Sequence, residues 1–203
     1  VTVNVKDADK VANTTDVLNV VIADNAGDVG TLTVANVETI NITTTNTFVD
    51  EKGAKDKNNI DIADGKDDDA SSAELSLIAA AAKTVSITGA GDLELNSGSD
   101  LKAVTLIDAS KMTGDLVVIS QNKTAASTIK GGSGDDVLTA STSNSALVID
   151  QVNTLIGGAG NDILTANNGK SILTGGAGND TFVINTASYT VDYASTITDL
   201  GSG

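Results

Sequence analysis

The 203-residue chain contains no cysteine, histidine, tryptophan or proline, and all twelve of its basic residues are lysine. Without histidine there is no Ser-His-Asp triad and no imidazole ligand for zinc or haem. Without cysteine there is no disulfide, thiolate metal site or thiol nucleophile. Aromatics are reduced to two Phe and two Tyr. A carbohydrate-cleaving carboxylate pair drawn from Asp92, Glu94, Asp108 and Asp115 would therefore lack the Arg, His or Trp that binds sugars and stabilises developing charge. Catalysis within this chain is not expected. No apolar run reaches 18 residues, so no membrane-spanning helix is expected either.

What the chain has in excess is acid: 27 Asp and Glu give a formal net charge of -15. Nucleic acid, which needs clustered cations, is excluded as a partner, and an anionic membrane surface would repel the chain. The excess suits a cationic partner, most simply a divalent metal, or merely the solubility of an exported protein. The chain opens on Val1 without a charged-then-apolar leader, and Asp199-Leu200-Gly201-Ser202-Gly203 reads as a loop. Both ends read as those of a piece cut from a longer protein.

Thr, Val, Ile and Leu alternate with polar residues, as in Val1-Thr2-Val3-Asn4-Val5, Thr31-Leu32-Thr33-Val34 and Thr39-Ile40-Asn41-Ile42-Thr43. Short period-two runs bounded by Asn, Asp and Gly predict an all-β stack of short strands. A mixed-charge stretch around residues 50–70 interrupts the pattern and reads as a solvated loop. It fails as an EF-hand, because aligning Gly65 to the invariant glycine puts Ile60 and Ile62 where carboxylates belong. A loose cation patch on its aspartates remains open. Ser71-Ser72-Ala73-Glu74 fits a helix capping box ahead of Ala79–Ala82, yet Leu75-Ser76-Leu77 alternates, so strand is favoured over a short helix.

Three segments share the form GGxGxDxUx, with U apolar: residues 131–139, 157–165 and 175–183. The second and third start 18 residues apart, two nonapeptides, and residues 166–174 are a worn copy with Ser171 at the Asp place. The register extends upstream, predicting Ile129, Leu138, Leu147, Leu155, Leu164, Leu173 and Phe182 inward, with a one-residue slip between Val148 and Ile156. Repeats of this period stack as coils of a parallel β-solenoid. Glycines permit positive φ and let carbonyls converge, the Asp supplies a charged oxygen, and hard cations take about six to eight oxygens. The expected organisation is a β-rich segment over residues 1–84 and a right-handed parallel β-helix or β-roll solenoid over 85–203, with the repeats at 131–183.

At these residues the chain resembles the repeats-in-toxin (RTX) family of calcium-binding β-rolls. The resemblance implies calcium between turns 18 residues apart, held by carbonyls from the second and fourth motif residues of the earlier turn, the first and third of the later turn, and both aspartates. One complete site is then Gly158, Gly160 and Asp162 with Gly175, Ala177 and Asp180. A second would join Gly176, Gly178 and Asp180 to Asp199, although Ser195 stands where such closing segments usually carry Asp. The turn holding Gly132, Gly134 and Asp136 is expected on the opposite edge, with only Asp150 or Asn153 to complete a site. On this reading Asp180 is the shared ligand and Asp136 the least consequential.

Residues 101–114 and 34–42 also resemble the β-rich regions that precede such repeats in bacterial surface-layer and adhesin-like proteins. The resemblance implies a secreted, cell-surface structural protein exported by type I secretion, self-associating into a lattice, with cell-surface polysaccharide as a further partner. The other reading it leaves open is a secretion and folding module of an exported enzyme or adhesin.

Overall fold

The computed structural model describes residues 2–4, 15–23, 28–45, 72–96, 98–141, 151–167, 170–185 and 195–199, which form sixteen β-strands and no helix. The odd-numbered strands make one eight-stranded sheet in chain order: β1 (Thr2–Asn4), β3 (Asp28–Ala35), β5 (Ala73–Ile78), β7 (Leu93–Leu95), β9 (Leu116–Ile119), β11 (Val137–Thr139), β13 (Ile163–Ala166) and β15 (Thr181–Ile184). The even-numbered strands make the other: β2 (Val17–Ile22), β4 (Thr39–Thr44), β6 (Thr84–Gly89), β8 (Leu106–Met112), β10 (Thr128–Lys130), β12 (Val152–Ala159), β14 (Lys170–Ala177) and β16 (Thr196–Asp199). Every pairing is parallel. Each coil thus adds one strand to each sheet, the arrangement of a β-solenoid.

Alternation explains why the coils hold together. Successive side chains of a strand point to opposite faces, so β-branched and polar residues face out while every second residue enters a shared core. Ile40, Ile42, Leu75, Leu77, Val85, Ile87, Leu93 and Leu116 stack there, followed by Ile129, Leu138, Leu155, Leu164 and Leu173, all fully buried. Phe182 packs partly buried against the same core, and Leu147 lies outside the described residues. The coils do not begin at residue 85: β4 pairs with β6 and β5 with β7 in the same two sheets. The runs before residue 84 carry the same inward column and so stack in the same way. Ala79–Ala82 forms a turn closed by the Ala82 N–H on the Ala79 carbonyl at 3.1 Å, not a helix. The charged stretch at 50–70 lies outside the described residues.

Leu138 is 0 % exposed in a narrow, close-packed interior. Leu138→Ala is expected to cost about 2–5 kcal/mol, measured by denaturant unfolding in the presence of calcium.

Candidate metal centre

Turns leading from an even strand to the next odd one share one edge of the solenoid, the glycine edge; the remaining turns share the far edge. All three GGxGxD turns lie on the glycine edge, which corrects the expectation that 131–136 faces the other way. β11 sits directly between β9 and β13, and β10 directly between β8 and β12. The Ile163 N–H donates to the Asp136 carbonyl at 2.8 Å and the Ala159 N–H to the Gly132 carbonyl at 3.0 Å. Asp136 and Asp162 are 26 residues apart, Asp162 and Asp180 only 18. The extra residues of the longer coil fall in the chain between β11 and β12, and the glycine edge stays in register.

Asn153 is accordingly not a partner of Asp136. It lies buried at the far edge, where its Oδ1 accepts the N–H and hydroxyl of Ser127, both at 3.0 Å. Ser171 occupies the same inward place one coil on and is also buried. Asp150 lies outside the described residues. The far edge therefore presents neutral oxygens where the glycine edge presents carboxylates.

On the glycine edge the inward column changes chemistry midway. The register aligns Leu93, Leu116, Asp136, Asp162 and Asp180 in one column. Leu93 and Leu116 plug the early coils; Asp136 and Asp162, both 0 % exposed, take their place in the later ones. Each Asp Oδ1 accepts a backbone N–H from the preceding coil, from Leu116, Asp136 and Asp162 in turn, at 2.7–3.0 Å. Asp136 Oδ2 also accepts the Gly132 N–H at 2.7 Å. Asp162 Oδ2 and Asp180 Oδ2 are buried with no hydrogen-bond partner. Burying an ionised oxygen without a partner costs several kcal/mol, so these two atoms need a cation or a proton.

The local backbone is built around those oxygens. Gly158, Gly160, Gly176 and Gly178 adopt positive φ between 110° and 131°, which only glycine enters readily. A Cβ on Gly157 would collide with Asp162 Oδ2 and lie 2.6 Å from the Gly175 carbonyl oxygen. A Cβ on Gly131 would meet Asp136 Oδ2 and the Gly157 carbonyl in the same way. Each pair of stacked turns thus gathers a carboxylate of the earlier turn and the first carbonyl of the later one in space that only glycine leaves free. The Gly158 carbonyl faces Gly176, the Gly160 carbonyl faces Gly178, and the Ala177 carbonyl accepts the Gly160 N–H at 2.9 Å. Asp199 is exposed at the end of β16, its register partner Thr174 one residue ahead of Gly175.

Electrostatics agree with the geometry. Burial pushes the Asp136 carboxyl up to about 7, and the neighbouring Asp115 and Asp135 charges push the same way against the Gly132 and Leu116 N–H groups. Burial likewise raises Asp162 to about 7, helped by the Asp136, Asp180 and Asp135 charges. Among the described residues no three acidic side chains converge as a cluster. The oxygen set is instead carbonyl-rich, with one carboxylate from each turn, and it fits a hard cation with six to eight oxygen ligands.

A second ladder runs outside the first and was not anticipated. Backbone N–H groups of Asp115, Asp135, Asn161 and Asn179 each donate to the side-chain oxygen of the preceding Asp92, Asp115, Asp135 and Asn161, at 2.5–3.0 Å. Its signal in the chain is the recurring Gly-Asx step at 91–92, 114–115, 134–135, 160–161 and 178–179.

Gly158→Ala is expected to destabilise the calcium-loaded protein. Its positive φ alone costs about 1–2 kcal/mol for an L-residue, and the new Cβ would collide with the Gly132 carbonyl. Thermal unfolding in calcium checks this; an unchanged midpoint would contradict the stacking described.

A sequence-family model for the RTX calcium-binding nonapeptide repeat, in four copies, matches residues 124–144 and 150–182. No curated protein matches the chain.

Proposed function

This chain carries the calcium-binding nonapeptide repeats of the RTX family, and we propose that it is a calcium-stabilised structural segment of a secreted bacterial surface-layer protein. The observation that carries this reading is the pair of buried, unpartnered oxygens Asp162 Oδ2 and Asp180 Oδ2. One calcium would lie between turns 157–162 and 175–180, with Gly158, Gly160, Asp162, Gly175, Ala177 and Asp180 as its ligands. The shared edge supports a second ion between turns 131–136 and 157–162, drawing on Gly132, Gly134, Asp136, Gly157, Ala159 and Asp162. Gly176, Gly178, Asp180 and Asp199 are proposed to complete the column at its last coil.

Two regimes of stability follow. Coils up to β9 rest on apolar plugs and fold without metal; coils from residue 131 onward replace those plugs with carboxylates and depend on calcium. Surface-layer placement rests on the β-rich phrasing of residues 34–42 and 101–114. Calorimetric titration of the intact chain should give saturable calcium binding in the range of about 10⁻⁴–10⁻³ M, usual for extracellular modules, with magnesium far weaker because it holds its waters in a tight octahedron. Absence of a calcium isotherm, or equal affinity for magnesium, would overturn the proposal.

A further inference from the structure

The two side-chain ladders of the glycine edge change character one coil apart. Coil by coil, the outer and inner residues are Asp92 and Leu93, Asp115 and Leu116, Asp135 and Asp136, Asn161 and Asp162, Asn179 and Asp180. The inner column turns acidic at Asp136, whereas the outer ladder turns neutral only at Asn161. Among these five turns, 131–136 alone carries a carboxylate on both. Asp135 Oδ1 accepts the Asn161 N–H at 2.5 Å. A Cβ on Gly160 would lie 2.9 Å from that oxygen and 2.2 Å from the Gly134 carbonyl oxygen, so the Asp135 carboxylate stands beside a carbonyl of the first calcium site. Burial, and then neighbouring charges that include Asp135, raise both Asp136 and Asp162, so its charge is felt at both.

We propose that Asp135, without being a ligand, sets the order in which the column fills: its carboxylate makes the site between turns 131–136 and 157–162 the tightest, so calcium loads from the metal-free coils outward. The inference rests on the calcium reading above. Affinity in oxygen sites follows charge count and rigidity. Asp135, Asp136 and Asp162 flank the first site, while only Asp162 and Asp180 flank the next, with Asn161 and Asn179 in the outer places. Asp136 and Asp162 are fully buried and Asp180 half-buried, so charge at the first site is also the less screened. Turn 131–136 hangs on a coil that needs no ion: Asp115 Oδ1 accepts the Asp135 N–H at 2.6 Å, and Asp136 Oδ1 accepts the Leu116 N–H at 2.7 Å.

The ladder itself needs an oxygen and not a charge, because Asn161 Oδ1 accepts the Asn179 N–H at 3.0 Å just as well. The charge of Asp135 is therefore surplus to the hydrogen bonding of its corner and acts on the ion beside it. Asp92 makes the same hydrogen bond next to Leu93, where no ion is held, which makes it a control.

The test is calorimetric calcium titration of the intact chain at low and high salt. Asp135→Asn keeps an oxygen for the Asn161 N–H and should lower the affinity of the tightest site about 3–10-fold, and by less at high salt. Asp92→Asn removes a charge from the same ladder two coils before turn 131–136 and should change that affinity less than about twofold. Asp136→Ala should abolish the tightest site and leave weaker binding. Asn161→Asp repeats the Asp135 arrangement one coil on and should tighten a weaker site, a gain that no folding defect can mimic. The inference is overturned, with the calcium reading intact, by an Asp135→Asn chain that binds calcium like the parent or whose loss salt does not shrink. An equal loss in Asp92→Asn, retention of the tightest site in Asp136→Ala, or no gain in Asn161→Asp overturns it in the same way. A parent chain that takes up no calcium overturns both.

Discussion

Asp162→Ala should weaken calcium binding more than any other single aspartate substitution, by roughly 100-fold or more. Loss of an outer-shell partner alone costs about 10–100-fold, and Asp162 is placed to be a direct ligand of two ions. It is the middle member of the carboxylate column, with Asp136 stacked on one side and Asp180 on the other. Asp136→Ala should cost less, because Asp136 ends the column against Leu116 and its two oxygens already accept the Leu116 and Gly132 N–H groups. The sequence reading has Asp180 as a shared ligand too, but its second partner, Asp199, is exposed at the end of β16, so that last site leans on Asp180 less than the two inner sites lean on Asp162. Calorimetry on the three single variants tests this order.

Removal of calcium should unfold the coils beyond residue 131 while leaving those between 72 and 130 folded. The turns of the repeats are glycine-rich, and ordering each residue costs about 1–2 kcal/mol of backbone entropy. The odd-sheet strands that follow them are short, three residues in β11 and four each in β13 and β15, although β12 and β14 run to eight. Their burial must also offset the repulsion among the buried Asp136 and Asp162 and the half-buried Asp180. A bound ion removes that repulsion and ties adjacent coils, so its binding free energy becomes folding free energy. Calcium at tenfold its dissociation constant contributes roughly 1.4 kcal/mol per site by mass action. The earlier coils carry the buried, apolar Leu93 and Leu116 at the same place and so need no ion there. Far-UV circular dichroism should show partial loss of β signal in chelator, and limited proteolysis should place the cuts beyond residue 131. An unchanged spectrum, or cleavage spread evenly along the chain, would contradict the division.

The inward residues were legible because the nonapeptide repeats a single physical demand: one inward apolar side chain at a fixed place in each strand, with a turn to follow. Ile129, Leu138, Leu155, Leu164 and Leu173 obey it. The sharing of one edge by all three turns was not legible from nonapeptide counting, which assumes that every nine residues make half a coil. The chain between β11 and β12 departs from that rule, so counting through it assigns residues 131–136 to the wrong side. The Gly-Asx steps carry the missing information. They recur once per coil whatever the coil length, because a backbone N–H at that corner needs an oxygen from the coil before it. The extent of the upstream solenoid was hidden for a related reason: alternation predicts strands without saying which neighbour each one pairs with.

The most direct test of a single calcium column is the number of ions bound by each variant, counted by native mass spectrometry of the intact chain. Asp162→Ala should lose the ions on both sides of its turn, while Asp136→Ala should keep the ion between turns 157–162 and 175–180. If Asp162→Ala instead loses only one ion and Asp136→Ala loses none, then turn 131–136 is not part of the column and the account is wrong.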